Sequence, residues 1–380
     1  VESRSQMSML PRFKPTEFYD LVVQVAIVRP GPIQGGMVHP YLRRRQGLEP
    51  IEYAKDELKP ALQRTLGVPI FQEQVMQISM IAAGFSAERA DQLRRAMAAW
   101  KRKGGVEAFR QPLINGMLER GYPQDFAERI FQQILGFGEY GFPESHAYSF
   151  ALLAYVSAWL KCHEPACFLA ALLNSQPMGF YTASQLVQDA QRHRVDVRPP
   201  DVTCSHWDCT LEGIPGQAMP AVRLGLRLVG GLSHAGVNAL MAARQQAPFS
   251  STEDMALRAK LGRQDLDALA AGDALATLAG HRRQQVWAAT GLQPAPAILQ
   301  GVPVHEDLLT LPEAPEGEEI TFDYASLGLT LRRHPVALLR THLQKMRLQS
   351  ARELHDLPHG CPVRACGLVT VRQQPQTAHG

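Results

Sequence analysis

From Val1 to about Asn174, apolar segments of helical length are separated by short clusters of glycine, proline and capping residues. That spacing predicts packed helices joined by tight turns and leaves little room for a sheet. Ser86 is a good N-cap, and Glu88 and Asp91 follow in the early turns, where the helix dipole favours acids. The helix it starts is predicted to run towards Lys103 and to stop at Gly104-Gly105. Pro123 marks the first turn of another helix, with Gly136 and Gly138 ending it. A further helix begins near Ser145 and continues to Cys162, and Pro165 marks a break or a new start. Arg29-Pro30-Gly31-Pro32 is a rigid turn, because each proline fixes φ and Gly31 supplies freedom between them. Val68 to Phe71 reads as a short buried strand or as the lead-in to a helix.

At 380 residues the chain is too long for one ordinary core, and two or three domains are expected. The texture changes between Asn174 and Thr182. Ser184 to Arg194 then reads as an amphipathic helix, and Val195 to Val202 as extended chain. Val222 to Leu228 is a strand or turn entering a Gly230-Gly231 hinge, and Val237 to Arg244 is helical. Pro294 to Ile320, proline-rich and acidic with Glu313, Glu316, Glu318 and Glu319, reads as a linker. Val363 to Val371 alternates weakly, as a strand would.

A hydrophobic content of 45% and a charged content of 20% describe a soluble globular protein. No apolar run reaches the ~18 residues needed to cross a bilayer. The most apolar stretch, Phe150 to Leu160, is interrupted by Tyr155 and Ser157, ends at Lys161 and reads as a buried helix. There is no initiator Met and no signal-type apolar core, and the sequence stops at Gly380 after a strand-like run, so both ends are expected to be cut. The six cysteines fall as Cys162/Cys167, Cys204/Cys209 and Cys361/Cys366. Zinc sites favour closer pairs with a partner pair at matched distance, so buried free thiols are expected and a metal site, with His163 or His206, is the alternative. The net charge is +3, yet residues 1–110 hold 17 Lys and Arg against 11 Asp and Glu, a surplus of six that leaves the other 270 residues at −3. A concentrated basic segment on a near-neutral chain suits a polyanion.

Four constellations carry candidate chemistry. In Leu93-Arg94-Arg95-Ala96-Met97, Arg94 and Arg95 share helix faces with Lys101 and Arg102, two turns on, and Lys103 follows. Guanidinium groups bind phosphate bidentately, so such a ridge can hold a triphosphate; a solvated basic face is the plainer alternative. Gly136-Phe137-Gly138-Glu139-Tyr140-Gly141-Phe142-Pro143-Glu144-Ser145-His146 sets glycines and aromatics before a helix start. Tyr140 offers a stacking surface, and Ser145 and His146 sit where free N–H groups attract anions; a glycine cap with its aromatics in the core is the alternative. Arg43-Arg44-Arg45 cannot all pair with one face, which leaves at least one for phosphate. Leu228-Val229-Gly230-Gly231-Leu232-Ser233-His234 resembles a hairpin that points backbone N–H groups at DNA phosphate, although Ser233 stands where a second glycine would be stronger. There is no P-loop, dinucleotide fingerprint or nucleophile elbow. Asp20, Asp56 and Asp91 are isolated, so no acidic pair is placed for two-metal phosphoryl transfer.

Taken in order, Val1 to Met9, Ala26 to Pro32, Phe71 to Ile78, Leu93 to Met97, Tyr140 to His146 and Tyr155 to Pro165 resemble the C-family bacterial DNA polymerases, the alpha subunit of DNA polymerase III and its relatives. Gln6 to Leu10, Pro32 to Gly35, Gly138 to His146 and Leu173 to Tyr181 resemble the error-prone branch, associated with damage-induced mutagenesis and translesion synthesis. The replicative branch usually has Asn-Lys at Pro143-Glu144, and a glycine followed by a lysine run at Ala98 to Lys103.

The resemblance implies a mainly α chain. Residues 1–19 would pass from palm to fingers and 20–180 would form the helical fingers. Residues 181–290 would hold a helix-hairpin-helix tail, 291–355 a connecting segment, and 356–380 the start of a β OB-type barrel. It implies that Arg94, Arg95, Tyr140, Ser145 and His146 line the pocket for the incoming nucleotide. DNA contacts would come from Arg43, Arg44, Arg45, Lys101, Arg102 and Lys103, together with Gly231 and Ser233 of the hairpin. Catalytic aspartates and their Mg2+ would lie outside this chain, which should bind dNTPs and primer-template without polymerising. Sliding clamp and mutagenesis accessory proteins are the further partners, in the cytoplasm and away from membrane. The alternatives are a replicative alpha subunit, a non-catalytic DNA-binding module from a truncated gene, and a metal-binding protein built on the cysteine pairs.

Overall fold

The computed structural model of the chain describes residues 3–28, 36–98, 105–140, 143–292, 309–369 and 371–372. They belong to two compact units, Val1–Trp159 and Leu160–Gly380. The first is helical: α1 (Arg4–Phe13), α2 (Phe18–Ile27), α3 (Val38–Arg45), α4 (Gln72–Ile81), α5 (Ala87–Ala98), α6 (Arg110–Glu119), α7 (Gln124–Tyr140) and the start of α8 (Glu144–His163). No helix of the described residues is long and apolar enough to cross a membrane.

The local reasons follow from side chains. Val68 to Phe71 is the lead-in to α4 and not a strand. Buried Gln74 holds it extended by accepting the Ile70 and Phe71 N–H groups while donating to the Ala61 carbonyl and the Thr65 hydroxyl. All its polar capacity is met inside the core, as a buried amide requires. The Ser86 hydroxyl accepts the Arg89 N–H and caps α5 as expected. Gly136 and Gly138 do not end α7, which runs through both to Tyr140. A mid-helix glycine costs only about 1 kcal/mol, and Ile130, Phe131 and Ile134 bury the apolar face that offsets it. α4 packs on α5, α5 on α7, and α7 on α6. At Gly116 of α6 the backbones approach so closely that a Cβ would collide with the Ala83 carbonyl.

The second unit opens with the end of α8, then α9 (Pro165–Asn174) and α10 (Ala183–Arg192). These pack near a three-stranded sheet, β1 (Val197–Arg198), β2 (Thr210–Glu212) and β3 (Ala221–Arg223). Its order is β1-β3-β2, with β1 parallel and β2 antiparallel to β3. A separate cluster is built from α11 (His234–Gln246), α12 (Thr252–Ala259), α13 (Arg263–Ala271) and α14 (Arg282–Gly291).

Three expectations need correction here. The acidic run read as linker ends in a helix, α15 (Glu316–Leu327), with Glu316, Glu318 and Glu319 in its first turn, where the dipole favours them. Glu319 and Asp323 turn inward onto buried Arg282 at 2.8 and 2.5 Å, and Arg332 adds contacts to Asp273 and Glu319. Burial pushes the Glu319 carboxyl above its ordinary range, against the pull of Arg282 and then Arg332. The strand read over Val363 to Val371 is not formed among the described residues: Ala365 makes one parallel bridge to Gln349, and Val363, Leu368, Val369 and Val371 stand exposed without a second strand to pair with. Phe150 to Leu160 is helical as read but not buried, for Ala151 is its one buried residue while Leu152, Leu153 and Val156 face outward.

Candidate nucleotide and DNA interface

On α5, Asp91 divides its carboxylate between two arginines. Oδ1 accepts from Arg94 Nε at 2.9 Å, and Oδ2 meets Arg95 Nε at 2.8 Å. Placing Asp one turn before both residues lets a single anion orient two guanidinium groups towards the helix N-terminus. The Arg94 hydrogen bond holds the Asp91 carboxyl below its ordinary range, outweighing slight desolvation, and the Arg95 charge adds to it. Arg95 keeps 74% of its side chain in solvent and Arg94 keeps 39%. Lys101, Arg102 and Lys103 lie outside the described residues, as does the Tyr140 side chain.

Ser145 and His146 are exposed in the first turn of α8. The His146 ring meets Phe150 edge-on at 4.8 Å. This helix start is fixed by residues that sequence reading did not single out. The Glu144 N–H donates to Glu73 Oε2 at 2.9 Å, while Glu144 Oε1 accepts the Tyr19 hydroxyl at 2.7 Å and Arg64 at 3.1 Å. The Arg64 guanidinium lies over the Tyr19 ring at 3.7 Å. Burial, and then the Glu144 carboxylate, push the Tyr19 phenol far above its ordinary range. Arg64 and Glu144 are 80 residues apart, so no local spacing could have announced the cluster.

α4 connects the two groups. It carries Glu73 in its first turn, and α5 packs back along it after a short turn. Such a hairpin is antiparallel, and Glu73 and Arg95 lie equally far in sequence from Gly84 at the turn. The Arg94–Arg95 end of α5 is therefore level with the end of α4 that anchors α8. Two cavities of about 340 and 220 Å3 belong to the second unit; one lies against Cys204, His206 and Arg244, the other against Arg340, Leu348 and Cys366. Among the described residues, Arg94, Arg95, Ser145 and His146 present exposed or partly exposed side chains.

The Arg43-Arg44-Arg45 run separates by role. Arg45 donates to both Asp20 oxygens at 2.5 and 2.6 Å and to the Phe13 and Lys14 carbonyls, so its guanidinium is committed to the fold. Arg44 is mostly buried and donates to the Leu66 carbonyl. Arg43, with 63% of its side chain exposed and Glu49 at 3.5 Å, is the one of the three placed to meet phosphate.

The second unit corrects the hairpin reading in one respect. Gly231 adopts φ +82° with open space beside it, a conformation and clearance that a backbone contact needs. Ser233, however, caps α11 through the Gly236 N–H, and both its own N–H and its hydroxyl are taken by the Asp265 carboxylate. Its donors are spent, and a negative charge stands where a phosphate was expected. All six cysteines are free thiols, but only Cys209 is buried; four are exposed and Cys167 is intermediate, which corrects the expectation of buried thiols. No group of three or more His, Cys, Asp or Glu among the described residues is arranged to hold a metal ion.

Comparison with known proteins places these features. Residues 1–121 match the bacterial DNA polymerase III alpha subunit finger domain, and residues 194–285 match a helix-hairpin-helix motif. The error-prone DNA polymerase of Bordetella bronchiseptica is 62% identical over the whole of this chain, which covers 36% of that relative. Those of Alkalilimnicola ehrlichii and Pseudomonas aeruginosa PAO1 are 58% and 55% identical over the whole chain, which covers 37% of each. The chain thus spans little more than a third of the length of the curated relatives it matches. With a match to the polymerase III alpha-subunit finger domain, a match to a helix-hairpin-helix motif and 55–62% identity along its entire length, this chain is similar to a section of the error-prone DNA polymerases.

Proposed function

We propose that this chain is the nucleotide- and template-holding section of an error-prone DNA-directed DNA polymerase serving translesion synthesis in the cytoplasm. The supporting observation is the placement of Arg94 and Arg95 at the same end of the α4–α5 hairpin that anchors the first turn of α8. Two oriented guanidinium groups suit the distributed charge of a triphosphate. Ser145 and His146, exposed in that turn, would meet the base or sugar. Arg43 and the Gly231 turn would hold the backbone of the primer-template without reading sequence. Sliding clamp and mutagenesis accessory proteins are the partners such a polymerase would meet.

Template-directed nucleotidyl transfer uses two divalent metals, here magnesium, to activate the primer hydroxyl and stabilise pyrophosphate. The described residues do not fit that role. Asp20 is bound by Arg45, Asp56 by Lys59 and Asp91 by Arg94 and Arg95. The chain supplies binding and orientation, and the metal-holding carboxylates would be elsewhere in the polymerase.

The test is fluorescence anisotropy of the purified chain with a fluorescent dNTP and with primer-template DNA. Arg94→Ala/Arg95→Ala is expected to lose nucleotide binding and keep DNA binding. Arg43→Ala is expected to weaken DNA binding and to lower the salt slope by about one. Equal nucleotide binding by the double variant would overturn the site, and primer extension by the purified chain would overturn the placement of the chemistry.

A further inference from the structure

α8 is apolar on nearly every side and carries no Asp, Glu, Lys or Arg from Ser145 to Leu160. Its buried residues are the small Ala147 and Ala151, which face the core of the first unit. Tyr148 and Tyr155 pack edge-on against Phe18, at 5.0 and 6.0 Å. At 100° per residue, Leu152, Leu153 and Val156 lie on the side opposite the two alanines. Leu152, Leu153 and Val156 are 51, 63 and 46% exposed. Helices ordinarily turn their large apolar residues inward and their small or polar ones outward; this one does the reverse. An uncharged stripe of leucine and valine has the composition of the core of an interface, and contiguous exposed apolar surface of this kind marks an interaction site.

We infer that the Leu152–Leu153–Val156 face of α8 is a docking surface for the remainder of the polymerase polypeptide. The chain is matched along its whole length yet covers only 36 to 37% of the relatives, so each of them carries a larger body of protein besides the matched section. A surface joined to its partner by the same polypeptide sees it at high effective concentration. It has no need of charged residues to steer an encounter, which agrees with the bare stripe. The docked body would then grip the same helix whose first turn presents Ser145 and His146.

Hydroxyl-radical footprinting read by mass spectrometry tests this at the helix itself. Leu152, Leu153 and Val156 should be reactive in the 380-residue chain, and the equivalent residues several-fold less so in the full-length error-prone polymerase of Bordetella bronchiseptica. Equal reactivity in the two proteins would overturn the proposal, as would protection in the monomeric short chain. Sedimentation of the short chain over a range of concentrations covers the other occupant. A monomer is expected, and a dimer abolished by Leu153→Glu would assign the stripe to a second copy instead. Because these readouts are independent of nucleotide binding, the inference stands or falls separately from the roles of Arg94 and Arg95.

Discussion

Three consecutive arginines show how far residue identity underdetermines role. Arg43, Arg44 and Arg45 are chemically equal, but a helix turns each by 100°, so one reaches solvent while the other two meet the Leu66 carbonyl and Asp20. The basic run was legible in the sequence; which member was spoken for depended on Asp20, 25 residues away. Burial raises the Asp20 pKa, but the Arg45 hydrogen bonds and the Thr16 and Glu17 N–H groups outweigh it, lowering the value from 3.8 to about 2. A depressed carboxylate stabilises the fold above its unfolded pKa and loses that contribution as pH falls through the folded value. Acid titration of the fold should therefore show a component lost between about pH 4 and 2 that is missing in Asp20→Asn. Gln24 offers the opposite case. It is wholly buried in α2, and neither its amide nitrogen nor its oxygen has a partner. Leaving buried polar groups unpaired costs roughly 1–3 kcal/mol. Gln24→Met, similar in size, should raise the denaturant midpoint of the chain, and a lowered midpoint would show that the amide is satisfied in solution.

At the scale of elements, caps and turn residues located most helices of the first unit within a few residues, because Ser86 and the prolines act locally. What they did not locate were features decided by distant partners. Glu316, Glu318 and Glu319 look in sequence like a solvated acidic run, and arginines on both sides of it, Arg282 and Arg283 before and Arg332 and Arg333 after, turn that run into the docked start of α15. The hairpin motif was likewise visible as glycines, whereas the engagement of Ser233 required Asp265. Removing Arg282 would leave Glu319 and Asp323 buried with only the partly exposed Arg332 as counter-ion, a change that approaches the roughly 3–5 kcal/mol of a broken buried pair. Arg282→Ala should thus release α15. Limited proteolysis is expected to cut within residues 309–327 of the variant far faster than in the parent chain, and an unchanged pattern would mean that apolar packing alone holds the helix.

For the molecule as a whole, the hydrophobic residues that pack α1 to α8 of the first unit form one cluster, and those of the second unit form two others. A division at Trp159 and Leu160 was not legible, since no glycine or proline marks it; the sequence suggested the change near Asn174, where loop residues gather. Separate clusters are expected to melt separately when each unit is of ordinary domain size. For domains of this length, each kcal/mol of destabilisation lowers the melting temperature by about 2–4 °C. Arg45→Ala, which strands Asp20 in the first unit, and Arg282→Ala, which leaves Glu319 and Asp323 in the second to Arg332 alone, are each worth roughly 3 kcal/mol. Scanning calorimetry should then show two transitions, with the arginine variants moving different ones, each by about 6 °C or more. A single transition displaced by either variant would mean that the clusters unfold as one cooperative body.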